Sequence, residues 1–106
     1  MQTSQLIAFV VDKIDDMKAK DIVQLNVSGK STETECLVVC TGTSNRHTRS
    51  VAAHLVVEAK KAGLHILGVE GEKTGEWVLV DLGEVVVHVM LDESRSFYQL
   101  EKLWAA

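Results

Sequence analysis

Four histidines, two cysteines and one strand–glycine–helix turn are the groups in this 106-residue chain best suited to chemistry. His47, His54, His65 and His88 show no HExxH spacing and no accompanying carboxylate pattern. His47 and His54 lie seven apart on one predicted helix face, too far to share a metal without further ligands. Cys36 and Cys40 bracket "CLVVC". On a strand, four residues separate their α-carbons by about 13 Å. A disulfide needs roughly 4.4–6.8 Å. With no second Cys or His pair at a usable spacing, both read as small buried apolar residues. The expected metal set is empty, and so is the cofactor set.

"CTGTSNRH" places a buried strand, a turn and a helix start in succession, where backbone N–H groups could hold a phosphate. Ser44 and Arg46 on that phosphate, with Asp81 on a metal, would make a small nucleotide-binding or nucleotidyltransferase-like enzyme. Against it, the stretch has one glycine, Gly42, and no GxxxxGK[ST]. Thr43 and Ser44 are more simply helix caps. Arg46, His47 and Arg49 could meet an anion or an acidic surface, though solvent-facing basic side chains are commoner. Gly68, Gly71 and Gly75 fail the dinucleotide fingerprint and read as turn residues. A two-metal transfer needs close carboxylates, and "VLVDLG" with "VVVHVM" offers Asp81 alone, with His88 on the partner strand. Ser44, His88 and Asp81 do not define a triad by sequence. No catalytic residue is assigned.

These groups need a frame, and composition bounds it. Hydrophobic content of 46% and charged content of 25% are ordinary for a soluble globular chain, read as one domain over residues 1–106. No apolar run is long enough for a membrane, and "MQTSQLIAFVVDKIDDMKAK" reads as an amphipathic helix, not a signal peptide. A cytoplasmic protein is expected. The net charge of −4 argues against nucleic acid as the primary partner, which would require a basic footprint. Between Gly68 and Glu93 stand Glu70, Glu72, Glu76, Asp81, Glu84, Asp92 and Glu93 against Lys73 alone. That bias favours a basic protein partner.

Apolar spacing predicts a helix over residues 4–20 through Leu6, Val10, Ile14 and Met17, capped by Thr3 or Ser4. "DIVQLNV" alternates as a half-buried strand with Val23, Leu25 and Val27 on one face, and "CLVVC" follows as a buried strand. A second helix runs to about Ala62 on Val51, Leu55, Ala59 and Ala62, and Gly63 stops it. "HILGVE" is a third strand. "SRSFYQLEKLW" is a last helix with Phe97, Leu100 and Trp104 at helical spacing. The order αββαβββα implies an α/β fold: a mixed sheet of about five strands flanked by helices.

The hairpin at residues 76–91 sorts by the strand period of two. Val78, Val80, Val85, Val87 and Val89 form one face, the core. Trp77, Leu79, Asp81, Val86, His88 and Met90 form the other. A two-residue turn at Leu82 and Gly83 would set Trp77 opposite His88 and Val78 opposite Val87. Three helices can hardly cover both sheet faces of so small a chain. An incompletely covered face bearing Trp, Met and Leu suits a protein interface, and it allows a homodimer of the free protein.

Taken together, "DIVQLNVSGKS", "CTGTSNRH", "LGVEG", "WVLVDLGEVVVHVM" and "RSFYQLEKLW", in this order and spacing, resemble the ribosomal silencing factor family, also called Iojap-like. The resemblance spans about Asp21 to Trp104, with the first helix also in place. It implies a non-enzymatic factor on a nucleotidyltransferase-like scaffold. Such a factor binds the large ribosomal subunit through large-subunit ribosomal protein fourteen and blocks joining of the small subunit when nutrients are scarce. The family's characteristic residues coincide with Trp77, Asp81, His88, Arg95, Tyr98 and Trp104, and with Gly42, Thr43, Ser44, Asn45 and Arg46. The face argument selects Trp77, Leu79, Asp81, His88 and Met90 for the partner, extended by Arg95 and Tyr98 at the start of the last helix.

Overall fold

The computed structural model describes residues 1–104, the side chains of Phe97 and Trp104 excepted, so the packing of those two at their helical spacing lies outside it. The elements follow the expected order: α1 (Thr3–Asp16), β1 (Lys20–Asn26), β2 (Cys36–Gly42), α2 (Asn45–Lys61), β3 (Gly68–Glu70), β4 (Trp77–Asp81), β5 (Val85–Leu91), α3 (Asp92–Tyr98) and α4 (Leu100–Trp104). The strands form one mixed sheet ordered β1-β2-β5-β4-β3. β2 and β5 run parallel, and the other neighbours run antiparallel.

Local chemistry sets the boundaries. Helix α1 stops at Asp16, short of Lys20, because Lys18 takes φ 61° and turns the chain toward β1. Ser44 caps α2 by accepting the N–H of His47 at 3.0 Å, and Gly63 at φ +76° ends the turn after it. The long last helix divides in two at Gln99, whose φ of 50° and ψ of 49° are left-handed. β3 keeps three residues of the expected six, although Leu67 N–H still donates to Asp81 O at 2.8 Å.

The core lies between the sheet and the α1–α2 pair. Val78, Val80, Val85, Val87 and Val89 are fully buried there against Val10, Ile14, Val51 and Leu55. Each such side chain contributes roughly 1.5–3 kcal/mol by leaving water. Cys36 and Cys40 join them as free thiols, and burial pushes the Cys40 thiol up to about 12.

The hairpin register differs from the expected one. Trp77 pairs with Met90, Leu79 with His88, and Asp81 with Val86. The tight turn is Gly83–Glu84, not Leu82–Gly83. Leu82 N–H donates to Val85 O at 3.0 Å, and Asp81 Oδ1 accepts the Gly83 N–H at 2.8 Å. Gly83 holds φ +86°, which a two-residue hairpin asks of its first central residue. Moving the turn by one residue shifts each cross-strand partner by two. The faces are therefore preserved.

Candidate partner-binding face

The sheet face away from α1 and α2 carries the reverse sides of all the central strands. Helix α3 covers its upper end. Met90 is fully buried there, and His88 is 7% exposed. Trp77, Leu79 and Asp81, at the alternate positions of β4, stay half-buried, and Tyr98 at the end of α3 is 52% exposed. The Tyr98 and Trp77 rings lie 4.6 Å apart and tilted by 47°. That separation is favourable for an aromatic pair.

His88 sits diagonally from Trp77 across the ladder, close enough for a long side chain to reach. The indole Nε1–H of Trp77 donates to Nδ1 of His88 at 2.9 Å. An indole N–H can only donate, so Nδ1 must accept and the neutral imidazole keeps its proton on Nε2. Burial drives the His88 pKa down to about 4, holding the ring neutral near pH 7. Asp81 is engaged elsewhere, in the hairpin turn. His88 and Asp81 do not pair with each other.

Arg95 ties α3 down. One guanidinium nitrogen donates to Thr41 Oγ1 at 2.8 Å, and Nε pairs with Glu101 on α4. The hydrogen bond and charge of Glu101 raise the Arg95 pKa, and the same pair lowers that of Glu101. The sequence carries no signal for Thr41 as this anchor. Below Trp77 the face continues as a second apolar cluster of Val27, Leu37 and Val86, with half-buried Leu25 and Leu79. Leu25 and Leu37 escaped the sequence-based selection. Their alternation was legible, but the strand order that lays them beside Val86 was not. Glu70 pairs with Leu79, so it shares this face with Asp81 and puts carboxylates beside the apolar strip.

The "TGTSNRH" turn is occupied by its own framework. His47 accepts the Thr43 N–H at Nδ1, 2.9 Å away, and reaches Met17 O from Nε2 at 2.7 Å. Asn45 and Arg49 donate to the backbone carbonyl of Thr74. The open cleft beside this turn is also lined by Asp21, Asp92 and Glu93 against Lys20 alone, a net negative lining that disfavours phosphate. Asp81 lies at the other end of the sheet. β2 pairs Leu37 with Val86, Asp81's neighbour, and Gly42 stands five residues further along. Five strand residues span about 16 Å, so Ser44 and Asp81 do not converge on one ligand. Among the described residues, no three His, Cys, Asp or Glu side chains gather as a metal site.

The fold is thus an α/β scaffold whose sheet face away from α1 and α2 carries a partly exposed aromatic and aliphatic strip, with Glu70 and Asp81 beside it. The whole chain, residues 1–106, matches the family described as ribosomal silencing factor during starvation. The ribosomal silencing factor RsfS of Haemophilus influenzae is 46% identical over 100 residues, which cover 94% of this chain and 98% of that protein. The mitochondrial Iojap-related protein of Arabidopsis thaliana is 32% identical over 102 residues, 91% of this chain and 55% of that longer one. The crystal structure of a Chromobacterium violaceum protein superposes with a TM-score of 0.97 at 40% identity, covering 100% of this chain and 88% of that chain. This chain belongs to the ribosomal silencing factor family, whose role is ribosome-associated silencing. Among the described residues, no helix is long and apolar enough to cross a membrane.

Proposed function

We propose that this protein represses translation in the cytoplasm by binding the large ribosomal subunit through large-subunit ribosomal protein fourteen, so that the small subunit cannot join. One observation carries the reading: half-buried Trp77 and exposed Tyr98 pack together on a sheet face that also presents Leu79, Glu70 and Asp81. Trp and Tyr are enriched among the residues that dominate binding energy, and the carboxylates complement a basic ribosomal protein.

Within this reading the seven sequence candidates divide by depth. Trp77, Leu79, Asp81 and Tyr98 meet the partner. His88, Met90 and Arg95 lie beneath them and hold the surface in shape. The mechanism is steric occupation, with no bond made or broken and no cofactor required. A second free copy can cover the same strip, which sedimentation at rising protein concentration reads directly.

Calorimetry with purified large-subunit ribosomal protein fourteen tests the partner. Saturable one-to-one binding that weakens on Trp77→Ala supports the assignment. Absence of binding by the folded protein overturns it.

A further inference from the structure

We infer that His88 is a positioning residue that acts through Trp77: by accepting the indole N–H it presets the ring for an apolar pocket on the basic partner, without touching that partner. The inference rests on the docking role proposed for Trp77 and specifies the chemistry met there. An indole at a protein surface has an apolar body and a single donor, and that donor usually points at solvent or at the partner. Here it points inward, to Nδ1 of His88 at 2.9 Å. The polar edge of Trp77 is satisfied before any partner arrives.

Two consequences follow. Binding at Trp77 need not strip water from an unpaired N–H, nor supply an acceptor for it. The complementary spot on the partner is then aliphatic or aromatic, with basic groups further out beside Glu70 and Asp81. Rotation of the indole is also restricted from two sides, by the hydrogen bond to His88 and by the Tyr98 ring 4.6 Å away. A ring already held in its bound orientation loses less freedom on association.

His88 itself is covered. It is 7% exposed and its β5 neighbour on the same face, Met90, is fully buried, so a partner reaches Trp77 and Tyr98 first. Leucine at this position keeps the bulk and removes the acceptor. Asparagine keeps an acceptor oxygen near the place of Nδ1.

The test measures affinity for purified large ribosomal subunits in a Trp104→Phe background, where Trp77 is the sole tryptophan. Each variant's Trp77 fluorescence anisotropy and thermal midpoint are recorded beside it. His88→Leu is expected to weaken binding on the order of tenfold and to increase indole mobility, and His88→Asn to restore most of both. Leucine binding as tightly as histidine, with the protein folded, overturns the inference. So does an equal loss in both variants at unchanged indole mobility, which would place His88 in direct contact. Should His88→Leu not fold, a benzothienyl analogue of tryptophan at position 77 removes the donor instead; unweakened binding by that protein overturns the inference. Trp77→Ala separates the two claims. If it binds fully, the docking role of the face fails; if it weakens while His88→Leu does not, only the role of His88 fails.

Discussion

Arg95 on α3 donates to the hydroxyl of Thr41 at the end of β2, 2.8 Å away, and so fastens the last helices across the sheet. The same guanidinium pairs with Glu101 beyond the left-handed joint at Gln99. Tyr98 is one turn along α3 from Arg95. The fastening therefore decides where Tyr98 lies against Trp77.

Thr41→Val is expected to cost about 1–2 kcal/mol, because it leaves a nearly buried guanidinium N–H without its partner. Glu101→Gln, at a more exposed site, is expected to cost under about 1 kcal/mol. Denaturant midpoints at constant slope measure both. Equal stability of Thr41→Val and the parent would show that Arg95 does not hold α3.

Acid should loosen the protein through His88. Its folded pKa lies near 4, below the ordinary histidine value of 6.5. The unfolded chain therefore binds the proton first as pH falls. Stability from this group is complete above about pH 7 and is lost as pH drops through 6.5 toward 4. Between pH 7.5 and 4.5 the loss amounts to about 2–3 kcal/mol. His88→Asn should show a correspondingly shallower decline over that range. Parallel pH profiles for the two proteins would contradict the burial argument.

Two glycines with similar backbones should respond differently to alanine. A β-carbon at Gly83, at φ +86°, meets nothing nearer than Leu67 Cδ1 at 3.6 Å. That substitution should cost only the conformational penalty, about 1 kcal/mol. At Gly71, with φ +87°, the carbonyl oxygen of Trp77 stands where the β-carbon would go. Gly71→Ala should cost at least about 2 kcal/mol more, and it should disturb Trp77 as well. Thermal unfolding of both variants in the Trp104→Phe background, read by Trp77 fluorescence, checks the ordering.

Glu70 shares the face of Leu79 and is exposed. Glu70→Lys should slow association with large-subunit ribosomal protein fourteen about two- to fivefold at low salt, with little change in dissociation. The difference should shrink as salt rises. Stopped-flow rates at two ionic strengths decide it. A mutant that associates at the parent rate at low salt would remove electrostatic steering from the account.

The faces of the hairpin were legible because strand alternation depends on sequence alone, so Val78 and Trp77 were separated correctly before any register was known. The register was not legible. Leu82–Gly83 and Gly83–Glu84 are both acceptable turns on paper, and the choice depends on Asp81 accepting from Gly83 and on Leu82 bonding Val85. Depth was hidden for a related reason. His88 and Met90 alternate in step with the half-buried Trp77, Leu79 and Asp81. Their greater depth depends on long-range packing, from the Trp77 ring on His88 and from α3, which the Arg95–Thr41 contact fastens over this end of the sheet. Likewise "TGTSNRH" announced a helix start, yet the loop carbonyl that engages Asn45 and Arg49 belongs to Thr74, far along the chain.

The most direct test of the central claim follows light scattering as purified large and small ribosomal subunits join. Added protein should suppress joining, and Trp77→Ala, still folded, should need roughly thirtyfold more to do so, the equivalent of about 2 kcal/mol. Subunits that join undisturbed at saturating protein, or a Trp77→Ala variant that blocks joining as well as the parent, would contradict it.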